Sequence, residues 1–233
     1  MGRKKNAKFE DERELKAQPI NAKSNTQRDY LKALQQKILI VGTGAAGTGK
    51  TFVAASHAAN RLVHGEVDSI VLSRPYVAMG RSSGFFPGTV HEKLEPYLKP
   101  MLNVFKKRLG DNAYACDLRK GRISIQPMEA IRGMSFEDCV LIIDEAQNTT
   151  KDEMKSIVTR IGENCQLILC GDPAQTDIKG ENGLEFISRI IESEKVEGAE
   201  VIVFTSKDIV RSGITKQFVQ IFDKIGGKNK DDK

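Results

Sequence analysis

The sequence predicts an α/β fold, a three-layer domain in which a mainly parallel sheet lies between helices. Three observations carry this expectation. Apolar runs at 38–41, 139–143 and 167–170 are continuous rather than alternating, the pattern of strands buried on both faces. Segments with helical spacing alternate with these runs, an order that leads to parallel pairing through crossover helices. A glycine-rich stretch, Gly44 to Thr51, sits between the first run and a helix.

Taken in order, residues 1–18 are polar and charged and read as a mobile tail. The domain is expected over 19–225. A loop from Pro19 leads into a short helix, Gln27–Gln36, with Tyr30, Leu31 and Leu34 on one face. The first strand and a helix over about 50–63 flank the glycine stretch. Ser69–Arg74 reads as a second strand. Segment 75–90 is long, aromatic and glycine-containing, and reads as a loop; loops of that length in compact domains are usually functional. Residues 91–119 read as helices interrupted at Pro96 and Pro100, because proline removes a helical hydrogen bond and crowds the preceding turn. Strands follow at 122–126, 139–143, 166–170 and 201–204, with helices at 151–161, 184–192 and 214–225. Residues 226–233 read as a second charged tail.

Composition bounds the function. The 233 residues suit one sizeable domain, and 39% hydrophobic content suits a soluble core. No run is long enough to span a membrane and the first residues lack a signal-peptide core, which points to the cytoplasm. The net charge of +5 is weak evidence for nucleic acid. Residues 1–16 hold six Lys/Arg against four Asp/Glu and residues 224–233 four against two, so the termini supply most of the excess. Cys116, Cys139, Cys165 and Cys170 form no C-x-x-C pair, and three lie in or beside apolar runs, so core thiols are expected rather than a metal site. His57, His64 and His91 show no ligand spacing with them.

The string Gly44-Ala45-Ala46-Gly47-Thr48-Gly49-Lys50-Thr51 carries the main functional signal. A polyphosphate is held best by inward-facing backbone N–H groups, and small residues let the backbone approach it closely. The following helix adds unpaired donors and a partial positive charge. Lys50 is then expected to reach the β/γ-phosphates, and Thr51 to ligate Mg²⁺. The chain is expected to bind a nucleoside triphosphate. In the second string, Asp144 and Glu145 close the apolar run 139–143, so both carboxylates fall at the carboxyl edge of the sheet, where open α/β sheets place ligands. Asp144 is the second expected metal-site residue, orienting a Mg²⁺-bound water opposite Thr51, and Glu145 is expected to polarise the attacking water in hydrolysis. In the third, 171–177, Gln175 is a candidate sensor of the γ-phosphate.

These strings resemble the PhoH-like ATPases. The resemblance rests on 144–150, Thr159 to Gly162, 171–177, Arg74-Pro75-Tyr76 with Gly84 to Gly88, and Asp208 to Arg211, and it covers about 19–222. One departure is Gly42-Thr43-Gly44-Ala45, where many members carry a proline. The resemblance implies a single RecA-like ATP-binding domain related to the first domain of superfamily 1 helicases, with ATP and Mg²⁺ as ligands and a role in RNA metabolism. It implies that Gln27 recognises adenine and that Arg211 contacts the γ-phosphate. It also implies that 74–90 touches RNA or single-stranded DNA, with Arg74 and Arg81 on phosphates and Tyr76, Phe85 or Phe86 stacking on bases. The PIN or KH domains of some relatives are not expected in this length. One such domain supplies half of a helicase's ATP site, so a homo-oligomer is expected, a hexameric ring being one form of it. Two alternatives compete. A GTPase switch would use Asn229-Lys230-Asp231-Asp232, but that string sits in a charged tail with no preceding strand. A small-molecule kinase is disfavoured by Glu145.

Overall fold

The continuous apolar runs form the middle of one parallel sheet. The computed structural model describes residues 19–75 and 90–210, with residues 213, 214, 217, 218 and 221 beyond them. Helix α1 (Asn25–Gln36) precedes strand β1 (Leu39–Gly44) and helix α2 (Lys50–Val63). Strand β2 (Ser69–Ser73) is followed by α3 (Val90–Leu109), α4 (Asp111–Arg119), β3 (Ile123–Ile125) and the short α5 (Met128–Ile131). The chain continues through β4 (Cys139–Ile143), α6 (Lys151–Val158), β5 (Gln166–Gly171), α7 (Gly183–Glu194) and β6 (Ala199–Phe204). Residues 213, 214, 217, 218 and 221 are helical, all but the first within the expected last helix.

The six strands run in the order β3-β2-β4-β5-β1-β6, and every pairing is parallel. Alternate residues of each strand therefore feed two separate cores. On one face Ile40, Leu72, Ile142 and Ile168 meet α1, α2 and α3 through Tyr30, Leu34, Val53, Leu98 and Phe105. On the other, Val41, Leu141, Ile143 and Leu169 meet α5, α6 and α7 through Met128, Ile131, Met154, Ile157 and Leu184. This is the expected three-layer α/β domain, with every strand parallel. Cys139, Cys165 and Cys170 are buried in it, each as a free thiol. Among the described residues, no helix is long and apolar enough to cross a membrane.

The predicted interruption of 91–119 at its prolines needs correction, because α3 runs unbroken through Pro96 and Pro100. The two prolines are four residues apart and both exposed, so the hydrogen bonds they remove lie on the solvent side. Burial of Leu94, Leu98, Met101, Phe105 and Leu109 on the opposite side holds the helix together. The break comes instead at Gly110, whose φ of 77° separates α3 from α4. Segment 76–89, residues 1–18 and the tail from 222 lie outside the described residues.

A cleft of about 450 Å³ opens at the amino edge of the sheet, between α1, α2 and β5, opposite the glycine loop. Several of its polar groups bond to one another. Gln166 donates to the Leu34 and Lys37 carbonyls and accepts from His57 Nε2 at 2.9 Å. Burial pushes the His57 imidazole down to about 4, although the bond to Gln166 favours its charged form. The unfolded chain takes up this proton near pH 6.5 and the folded chain only near 4. The stability that His57 contributes is therefore complete above pH 6.5 and is lost as pH falls toward 4, by up to about 3 kcal/mol. Urea melts at pH 7 and pH 4.5 check this, and a His57→Gln variant should lose that part of the pH dependence.

Candidate functional site

Because all six strands run the same way, β1, β2, β4 and β5 deliver their carboxyl ends to one edge. The glycine loop leaves β1 there. Gly44 takes φ 106°, and a Cβ at this position would sit 2.0 Å from the Phe204 carbonyl oxygen of β6, so only glycine lets the loop turn. Gly49 caps α2 with φ 88°, in the left-handed region. Lys50 opens the helix and is 8% exposed. Its ammonium donates to the Gly44 and Ala45 carbonyls, at 2.6 and 2.8 Å, and lies 5.9 Å from the centre of the Phe204 ring. Burial lowers its pKa, against the opposing pull of Cys170, Asp172, Glu145 and Asp144. The loop thus keeps its lysine in place on backbone oxygens that a phosphate can displace.

Thr51 and Asp144 are brought together from positions far apart in the chain. The Thr51 hydroxyl donates to Asp144 Oδ1 at 2.8 Å. Burial raises the Asp144 pKa and neighbouring Glu145 raises it further; the Thr51 hydroxyl and Arg74 act the other way. These are hard oxygen donors of the kind Mg²⁺ takes, so Thr51 and Asp144 are the residues that would hold it beside the phosphates. The pair fits Mg²⁺ in the usual protein manner, one carboxylate and one hydroxyl with phosphates and water completing the shell.

Glu145 follows in the left-handed region, φ 53°, an uncommon conformation for a side-chain-bearing residue and a recurrent one at functional sites. Among the described residues, two groups meet its carboxylate. Gln147 Nε2 donates to Oε2 at 2.5 Å, and Arg74 Nη2 lies 3.7 Å from Oε1. The sequence reading gave Gln147 no role. It is fully buried, and its own carbonyl accepts from the Asp172 N–H at 3.1 Å, so it ties the β4 turn to the β5 turn. Gly171 makes room for it, because a Cβ there would lie 2.5 Å from Gln147 Oε1. Its place in the 144–150 string was the one signal that could have marked it. Gln175, the candidate sensor, is exposed and donates to Asp172 Oδ2 at 2.8 Å.

Two predicted residues occupy places the sequence did not suggest. Gln27 is buried beneath the glycine loop. Its Nε2 donates to the Thr48 carbonyl at 2.7 Å, and its Oε1 accepts from the Lys23 N–H at 2.8 Å. Arg74, expected on a nucleic-acid phosphate, lies between the carboxylates and Tyr97. Tyr76, Arg81, Phe85, Phe86 and Arg211 lie outside the described residues. The chain leading to Arg211 nevertheless reaches the loop, since the Val210 N–H donates to the Gly47 carbonyl at 3.2 Å.

Comparison with known proteins identifies the family and the fold. A family model described as PhoH-like protein matches residues 19–223. Protein PhoH of Escherichia coli (strain K12) is 38% identical over 208 residues, covering 88% of this chain and 58% of that protein. A PhoH-like protein of Bacillus subtilis (strain 168) is 35% identical over 220 residues, covering 93% and 68%. The chain thus spans a little over half the length of the first of these relatives. The large terminase of a thermophilic bacteriophage, in complex with ADP, shares the fold with a TM-score of 0.55 at 16% identity. That match covers 84% of this chain and 49% of the terminase. With nearly its whole described length matched by one family model and by relatives above 30% identity, the chain belongs to the PhoH-like protein family.

Proposed function

We propose that this chain binds ATP with Mg²⁺ and hydrolyses it, and that hydrolysis is coupled to binding or remodelling of RNA or single-stranded DNA. The observation that carries the ATPase reading is the Thr51–Asp144 contact of 2.8 Å beside the Lys50 ammonium. Bound Mg²⁺ would neutralise charge that develops on the β- and γ-phosphates. The loop N–H groups and Lys50 would cradle the phosphates, Lys50 exchanging its backbone oxygens for theirs. Glu145 would accept a proton from the attacking water, and Gln147 would hold its carboxylate in position. Gln175 would sense the γ-phosphate and relay its loss to the neighbouring loops through Asp172 and Gln147, which are already joined by hydrogen bonds. Gln27, against Thr48, would report on the base side of the loop, and Arg211 would complete the site from this chain or from a neighbour in a homo-oligomer.

The ADP-bound terminase of the same fold supports nucleotide binding. The nucleic-acid part rests on the family resemblance and on the 74–90 segment. The decisive measurement is the rate of ATP and GTP hydrolysis with Mg²⁺, alone and with RNA, single-stranded DNA or duplex DNA. ATP-selective turnover raised several-fold by a single strand is the expected result. No turnover of any triphosphate under these conditions would remove the ATPase reading, and unstimulated turnover would remove the nucleic-acid part alone.

A further inference from the structure

Glu145 is the point at which two loops meet, and one of its two contacts is weakly held. The Asp144 N–H donates to the Ser73 carbonyl at 3.0 Å, which sets the end of β2 beside the end of β4 and brings Arg74 level with the carboxylates. The Arg74 guanidinium lies 3.8 Å from Asp144 Oδ2 and 3.7 Å from Glu145 Oε1. It also lies 5.5 Å from the centre of the Tyr97 ring on α3, with Nη1 donating to the Tyr97 carbonyl at 3.4 Å. A charge-assisted arginine–carboxylate bond is normally about 2.7–2.9 Å long. Among the described residues the guanidinium therefore makes four contacts to three residues, none of them that short, and its side chain is 22% exposed.

We propose that Arg74 is a positioning residue that clasps the Glu145 carboxylate and keeps it from acting as a base until an anionic partner draws the guanidinium away. The partner class is a nucleic-acid phosphodiester, and this part rests on the nucleic-acid coupling proposed above. The chemistry has two parts. A general base needs a free lone pair facing the water, and here one carboxylate oxygen is taken by Gln147 while the other faces a cation. A phosphodiester offers the planar guanidinium a two-pronged contact at short distance, which the long contacts to Asp144 and Glu145 do not match. The Tyr97 ring gives the guanidinium a surface to slide along as it changes partner.

The test is steady-state ATP hydrolysis by the full chain, as wild type, Arg74→Ala and Arg74→Lys, with and without polyuridine RNA or oligo-dT. The clasp predicts that Arg74→Ala raises basal kcat about tenfold, leaves KM for ATP within about threefold, and removes most of the stimulation by the polymer. Arg74→Lys, a point charge that pairs with one carboxylate at a time, should fall between the two. A folded Arg74→Ala chain whose basal kcat is unchanged or lower overturns the proposal, and a lower basal kcat for Arg74→Lys does the same if the alanine variant does not fold. If the wild type is unstimulated by either polymer, the nucleic-acid reading and the phosphodiester trigger fail together. Raised basal turnover in Arg74→Ala would in that case still support the clasp on Glu145.

Discussion

Lys50→Ala is expected to abolish turnover and to weaken ATP binding about tenfold to a hundredfold. The ammonium sits at the mouth of the loop on two backbone oxygens, at 2.6 and 2.8 Å, and in the proposed complex it trades them for phosphate oxygens. Charge-assisted hydrogen bonds contribute about 1.5–3 kcal/mol each, so one lost phosphate contact gives that range in affinity. The loss in kcat should be larger, because the charge that Lys50 offsets grows on the way to the transition state. Alanine leaves the Gly44 and Ala45 carbonyls at the open mouth of the loop, where water can satisfy them, so the melting temperature should change little. Calorimetric titration with ATP and a single-turnover assay read the two effects separately. Turnover within about tenfold of wild type would take Lys50 out of the site.

Glu145→Gln is expected to keep ATP and lose hydrolysis, with kcat down about a thousandfold and affinity within about threefold of wild type. Glutamine has nearly the same size and still accepts from Gln147, so the left-handed turn at φ 53° and the link to Asp172 survive. What disappears is the proton acceptor. Asp144, one residue earlier, should behave differently. Asp144→Asn weakens the hard-oxygen pair with Thr51, so its loss should be partly recovered at higher Mg²⁺, whereas that of Glu145→Gln should not. Equal loss of affinity in both variants would mean that Glu145 holds the metal rather than the water.

Much of this protein was legible in the chain. The three-layer fold followed from continuous apolar runs spaced by helical segments, because strands buried on both faces cannot alternate. The glycine loop was legible because its small residues answer a local backbone demand, seen in Gly44 turning at φ 106° beneath the Phe204 carbonyl. The unbroken α3 was not, because the cost of a proline depends on which side of the helix loses its hydrogen bonds. Pro96 and Pro100 both face water, a fact that belongs to the packing.

By itself the sequence determined the parallel sheet, the phosphate loop, and the placement of Asp144 and Glu145 at a strand end, since each depends on residues adjacent in the chain. Only the tertiary structure decided which side chains meet across it. Thr51 joins Asp144 over 93 residues, Gln147 reaches Asp172 over 25, and Arg74 lies against Asp144, Glu145 and Tyr97. Those meetings are set by strand order: β5 separates β1 from β4, and β2 lies on the far side of β4. Order in a sheet is fixed by the packing of whole helices on its two faces, and no local run of residues encodes it.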